Sequence, residues 1–351
     1  MLEFTTTRHN PLIDPTLAAW SWEIPVYLFF GGVVAGMMVL AGVAMLRIAK
    51  GEDGKTFFSM QTPLLGFILM NIGMLALLLD LTHRLYVWRI YTTFQWTSPM
   101  SWGSWVLIVV YGVLLVSALI RLPDSWPWLG RKLPVIGKLS DAIVATPRWL
   151  RALGWSNLGL GVGLGIYTGI LLNTMVARPL WNSAILAPLF LISGLSAGAA
   201  MVHLATVAFA RCSPAPAGML AGALASMIQP IGPQRPEKQT ADALIRADLF
   251  FLVIELVLIG LLLLNLHTSS ASHAAAASLL MRGPYALPFW GVVVGLGLLV
   301  PIAWQALELS NRIAHTVVPA LLVLVGGFTL RWVMVNAGQL SQIVPVATLG
   351  Q

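Results

Sequence analysis

Two sets of ionisable residues interrupt long apolar runs in this sequence. Glu23, Asp80, His83, Arg84, Asn173 and Arg178 stand at the ends of such runs, and His203, Asp248, Glu255, Glu308 and His315 stand within or at the ends of others. A charge in hydrocarbon costs roughly 2.5–3.5 kcal/mol even on the mildest scale, so each of these groups needs a partner or a task. Asp80 and Arg84 are spaced i,i+4, and Asp80 and His83 i,i+3. On a helix that spacing gathers carboxylate, guanidinium and imidazole on one face. Such a group handles protons at a membrane rim, or it is a structural ion pair at a helix end. In the second set the i,i+7 spacing of Asp248 and Glu255 returns both carboxylates to one face, with His203 about as deep. A buried carboxylate near a histidine relays protons or fixes the packing of a bundle, and spacing alone leaves both readings open.

The elements that position these groups follow from composition. Of 351 residues, 58% are hydrophobic and 9% charged, against about 25% charged in soluble domains. The chain is therefore expected to be an all-α integral membrane protein. Apolar stretches of about 20 residues predict spans at 24–46, 63–82, 102–120, 154–176, 185–210, 249–267, 286–306 and 314–335. Helix is the required form, because lipid offers backbone groups no other partner. The first 20 residues, with Glu3, Arg8 and Asp14, lack the apolar core of a cleavable signal. The lone Cys212 reads as a helix-end residue, and one thiol cannot form an internal disulfide, an iron–sulfur cluster or a Cys-rich zinc site. No metal site is expected in this chain. The net charge of +7 carries no basic–aromatic cluster, so nucleic acid is not an expected partner.

Orientation follows from Lys and Arg. The loops after spans one, three, five and seven hold 14 of the 20, and the remaining 6 are assigned to the termini and the other loops. The positive-inside rule then puts both termini outside. Segment 84–105 carries Tyr86, Trp88, Tyr91, Phe94, Trp96, Trp102 and Trp105, an interfacial belt that can also seat a partner. Pro25 to Gly31 followed by Ala35-Gly36 recurs as Pro188 to Gly194 followed by Ala197-Gly198, and Trp102-Gly103 as Trp290-Gly291. These recurrences suggest two parallel four-helix repeats. The expected organisation is an N-terminal segment 1–23, a first four-helix bundle 24–176, a second 177–336 and a tail 337–351. Gly31, Gly32 and Gly36, and the glycines from 159 to 169, read as packing seams.

Several stretches together carry a family resemblance. Trp22-Glu23-Ile24-Pro25-Val26-Tyr27-Leu28-Phe29-Phe30-Gly31-Gly32 through Ala35-Gly36 resembles the opening of the NrfD / polysulfide reductase membrane-subunit family. So do Asp80-Leu81 with Arg84, Ser98 to Gly103, Tyr167-Thr168-Gly169 and Arg178-Pro179-Leu180-Trp181, and the similarity runs from about residue 20 to 336. The resemblance implies a haem-free, quinone-reactive subunit of two four-helix bundles in the bacterial inner membrane, related to subunits of alternative complex III. It implies an extracytoplasmic iron–sulfur subunit as partner, wired to a molybdopterin enzyme or a multihaem cytochrome. Menaquinone or ubiquinone is the expected reactant. The polysulfide reductase branch uses polar groups at the start of the first helix and a tyrosine in the fourth, which Glu23 and Tyr167 match. That branch has an amide where Glu23 stands. The quinone ring is thus expected among Glu23, Tyr27, Asp80, His83, Arg84, Tyr167 and Asn173, with Asp80 and His83 exchanging its protons. His203, Asp248, Glu255 and Glu308 are the expected route for proton translocation.

By position, Tyr167 lies two to three turns below the end of its span, which sits awkwardly with a quinone at the rim. His83 pairs in depth with His267 and His203 with His315, but no span carries two histidines as a dihaem cytochrome would, so haem is not expected. Two other classes compete. A secondary transporter would suit duplicated halves with midplane charges, although its repeats are commonly inverted. A passive anchor for electron-transfer subunits would have no use for Asp80 or His83.

Overall fold

A computed structural model describes residues 20–52, 62–125, 134–209 and 238–343. Cys212, most of the N-terminal segment and of the C-terminal tail, and residues 126–133 of the basic loop lie outside the described residues. All regular structure among the described residues is helical. In chain order it comprises α1 (Glu23–Ile48), α2 (Thr62–Asp80), α3 (Trp88–Thr92), α4 (Pro99–Ser125), α5 (Pro134–Val144), α6 (Pro147–Asn173), α7 (Leu186–Phe209), α8 (Lys238–Thr268), α9 (Ala271–Met281), a π-wound helix Pro288–Leu299 running directly into α10 (Val300–Leu309), and α11 (Val318–Leu340). Eight of these helical stretches are long and apolar enough to cross a membrane, so the chain is a multi-pass membrane protein.

Most helix prolines sit where they cost least, Pro123 inside α4 being an exception. Pro147, Pro288 and Pro319 occupy the first turn of their helices, where a missing N–H removes no intrahelical bond. Pro301 comes at the switch from π to α winding. There it withdraws one donor, and the wider turns before it absorb the mismatch.

Around α1 pack α2, α6, α7 and α11. In the first half α2 also meets α4, and α4 meets α6. In the second half α7 meets α8 and α11, and α8 and α11 both meet the π–α10 span. Between the halves α1 and α7 cross at glycines. A Cβ on Gly194 would stand 2.8 Å from the Gly32 oxygen, and one on Gly198 2.7 Å from the Gly36 Cα. The contacts ascend together along both helices, so the two recurrent segments run parallel and in register. In lipid, where no hydrophobic force draws helices together, such small-residue seams give the close packing that does. Gly36, Gly161 and Gly169 meet neighbouring backbones, as expected of seam residues, whereas Gly31, Gly159 and Gly163 meet nothing.

The two ends of the described chain share one face. Trp20 N–H donates to Gln339 Oε1 at 3.0 Å, and Gln339 Nε2 donates back to the Trp20 carbonyl at 2.9 Å. Beside them Trp181 is fully buried, donates to the Met334 carbonyl at 2.7 Å and stacks on Trp20. We call this end of the molecule the terminal face.

The spans depart from expectation mainly at their ends. The fourth begins at Pro147, seven residues early, because Arg148 and Arg151 extend the helix beyond its apolar part. The last runs Val318–Leu340, displaced toward the terminal face. One charge assignment needs correcting: Arg331 lies in no loop. It is 1% exposed in the middle of α11.

Candidate functional site

At the terminal face α2 ends at Asp80, and the backbone continues through a turn into a 3₁₀ helix, Arg84–Tyr86. Because the helix stops there, the i,i+3 and i,i+4 face does not form. This corrects the expected Asp80–Arg84 pair: the Arg84 guanidinium donates instead to the Leu79 carbonyl at 2.8 Å. His83, exposed, meets the edge of Tyr86. The turn lines an open cleft of about 470 Å³, formed by residues 79 to 86, including Asp80, His83 and Arg84.

Glu23, in the first turn of α1, is electrostatically coupled to Asp80, and its Oε2 is buried without a hydrogen-bond partner. Tyr27, one turn below, is buried and neighbours Tyr167, Tyr91 and Tyr111. Tyr167 reaches the rim after all. Its hydroxyl donates to the Pro99 carbonyl at the first turn of α4, at 3.0 Å. Gly103 leaves the room, since any Cβ there would collide with the phenol. Asn173, the last residue of α6, is half-buried. Burial pushes the Tyr91 phenol of α3 up from its ordinary value.

The second set forms a ladder. Ser193, Ser196 and His203 lie on one face of α7. Ser196 Oγ donates to Asp248 Oδ1 at 2.7 Å, and Gln305 Nε2 donates to Asp248 Oδ2 at 2.6 Å. One turn along α10 from Gln305 comes Glu308, 1% exposed. Its Oε1 accepts from Thr316 N–H at 3.0 Å and Oγ1 at 3.2 Å. Its Oε2 lies 3.5 Å from His315 Nδ1, and His315 Nε2 lies 3.3 Å from Asp242 Oδ1. His203 neighbours Glu308 and His315, so it belongs to the mouth and not to the depth of Glu255.

Toward the terminal face the ladder continues through Ser193, which is within side-chain hydrogen-bonding reach of Glu255 and accepts from Arg331 Nη1 at 2.8 Å. Arg331 also donates to Gly327 and Phe190 carbonyls and lies over the Phe190 ring. It presses against Gly32 of α1, where a Cβ would meet Nη2 at 2.7 Å. The sequence-based reading missed Ser193, Ser196, Gln305, Asp242 and Arg331. An arginine inside a 20-residue apolar window was the signal for the last.

The structure thus brings Glu23, Tyr27, Asp80, His83, Arg84 and Tyr167 to one rim, and His203, Asp248, Glu255 and Glu308 onto one ladder. Among the described residues no three of His, Cys, Asp or Glu are grouped to hold a metal ion. The chain belongs to the NrfD family: the family model described as "Polysulphide reductase, NrfD" matches residues 10–228 and 216–343. It is 28% identical to the C component of polysulfide reductase from Wolinella succinogenes over 331 residues, 91% of this chain and 94% of that one. It is 30% identical to the protein NrfD of Escherichia coli over 334 residues, 92% and 95% of the two proteins. The C component of selenate reductase from Mesobacillus selenatarsenatis is 23% identical over 351 residues, covering 91% of this chain and 73% of that protein.

Proposed function

We propose that this chain is the quinone-reactive membrane subunit of a bacterial respiratory oxidoreductase, built as two four-helix bundles with its terminal face outward. The observation that carries the reading is the rim cleft, where Asp80 and His83 line an open depression and Asp80 interacts with Glu23, whose Oε2 is buried and unpartnered. A quinone bound there supplies two-electron, two-proton redox chemistry. The residues' part is to bind and to move protons. Arg84, tied to the Leu79 carbonyl, stiffens the turn and leaves Asp80 free of a salt bridge. His83 is the exposed imidazole of the cleft and the group there that passes protons to and from water. Glu23 is the second carboxylate within reach of a ring oxygen. Tyr167, its proton engaged by Pro99, orients the ring through its phenol oxygen or face.

Electrons then pass to a redox partner on the terminal face, an iron–sulfur subunit linked to a molybdopterin enzyme or a multihaem cytochrome. The relatives named as components of polysulfide and selenate reductases support a partnered role. The exposed Leu85, Trp96, Met100 and Trp102 beside the cavity offer it a seat. The ladder from Glu308 through Asp248 to Glu255 supplies or removes protons from the other side of the membrane.

The decisive measurement is quinol turnover by the intact complex carrying Asp80→Asn. We expect a loss of roughly 10²-fold or more with assembly unchanged. Full turnover in that variant would place the quinone site elsewhere.

A further inference from the structure

We infer that His315 is the proton-uptake relay of the second half, an imidazole that passes protons between Asp242 at the face opposite the termini and the buried Glu308. The inference rests on the reading that the ladder carries protons. Its geometry is independent of the quinone site.

His315 lies in the turn between α10 and α11, with both ring nitrogens facing carboxylates: Nε2 is 3.3 Å from Asp242 Oδ1, and Nδ1 is 3.5 Å from Glu308 Oε2. Exposure falls from one carboxylate to the other across the ring. Asp242 and the imidazole are partly open, at 23% and 35%, and the Glu308 side chain is at 0%. That is a step from water to interior across one ring. Glu308 Oε2, the oxygen that faces the ring, is buried and has no hydrogen-bond partner, while Oε1 is fully occupied by Thr316. An acceptor left open on the side of the imidazole is what a relay needs and what a purely structural carboxylate would avoid.

Proton balance is simple. The ring takes a proton at Nε2 from the Asp242 carboxyl, which recovers one from water, and releases the Nδ1 proton to the Glu308 carboxylate. One proton moves inward, no electron moves, and the ring resets by reorienting, which its partial exposure permits. Asp242 from α8, Glu308 from α10 and His203 from α7 are the titratable groups facing it. Beyond Glu308, Gln305 leads one turn along α10 to Asp248, and Ser196 and Ser193 lead along α7 to Glu255. The competing role is a charged staple: an imidazolium between two carboxylates ties α8 to α10 without passing anything on.

The two roles separate in an exchange experiment that needs no turnover. The whole complex in proteoliposomes is moved into D₂O at a pH where carboxylic C=O bands are present. The shift of the Asp248 and Glu255 bands is followed by infrared spectroscopy, the bands being assigned by their loss in Asp248→Asn and Glu255→Gln. We expect His315→Gln to slow the exchange roughly 10²-fold and free imidazole to restore it. Asp242→Asn, which keeps the ring and its contact with Glu308, should slow it as well. Unchanged exchange in either variant, or slowing that imidazole does not reverse, would overturn the relay. Asp80→Asn should leave the exchange untouched, so failure of the quinone reading and failure of the relay are read from different measurements.

Discussion

The two halves of the molecule use polar groups in opposite ways. In the first four spans the acidic and basic residues stand at or near span ends: Glu23, Arg47, Asp80, Arg121, Arg148 and Arg151. Between them the interior is apolar apart from hydroxyls and Asn157. In the last four spans Asp248, Glu255 and Arg331 are buried within the helices, and Glu308 is sealed at the end of one. Yet the halves share their packing, since α1 and α7 meet in parallel at Gly32, Gly36, Gly194 and Gly198. Under the proposed function the first half would be a cup, with chemistry at its lip, and the second a conduit. Arg331 joins them, because it closes the ladder at Ser193 while pressing on Gly32 of α1.

The comparison breaks most visibly at its two arginines. Arg331 is wholly buried and bonded to Ser193, Gly327 and Phe190. Arg331→Met strips Glu255 of its counter-charge, and breaking such a buried set by removing one member costs about 3–5 kcal/mol. We expect thermal unfolding of the complex to shift sharply downward, with partial recovery in the Arg331→Met, Glu255→Gln double variant, which leaves no lone charge. Arg84, exposed at the other site, should tolerate Met with no measurable change in unfolding. Equal shifts for the two would mean that the rim is as structural as the ladder.

A smaller effect is expected from the seam between the lip and its tyrosine. Gly103→Ala forces the Tyr167 phenol off the Pro99 carbonyl without removing any proton-carrying group. The expected outcome is a several-fold rise in KM for quinol, with kcat within about threefold of the parent, since lost positioning acts chiefly on uniform binding. A collapse of kcat at unchanged KM would instead make the tyrosine proton part of the chemistry.

The spans and their number were legible because hydropathy over about 20 residues is a strong signal, and the paired glycines exposed the parallel halves. The fine geometry was not. Asp80, His83 and Arg84 obey helical spacing on paper, but α2 ends at Asp80, and periodicity cannot say where a helix stops. Tyr167 read as too deep because residue position was taken for atom position, and a tyrosine side chain carries its hydroxyl several ångströms from its Cα. Arg331 was hidden by the window that found its helix: one charge among apolar neighbours barely lowers the average. Its meaning depends on Ser193 and Glu255, which only the packing of α7 and α8 brings near.

The smallest expected effect tests whether the first half truly lacks a conduit. Asn157 is a fully buried amide on α6. Its Nδ2 donates to Ser117 Oγ at 2.8 Å and to the Leu153 carbonyl at 2.9 Å, and its Oδ1 has no partner. If this amide only ties α6 to α4 and α1, then Asn157→Leu exchanges two hydrogen bonds, a longer one to Met45 Sδ at 3.8 Å and one unsatisfied acceptor for apolar packing of similar size. Those terms nearly cancel, so stability should change by no more than about 1 kcal/mol in either direction, and quinol turnover should be unaltered. Among the described residues Ser117 donates onward to the Val113 carbonyl of its own helix, a backbone group and not a further side chain on the way to the rim. Loss of turnover in Asn157→Leu at unchanged stability would show a polar path through the first half as well, and the division into cup and conduit would fall.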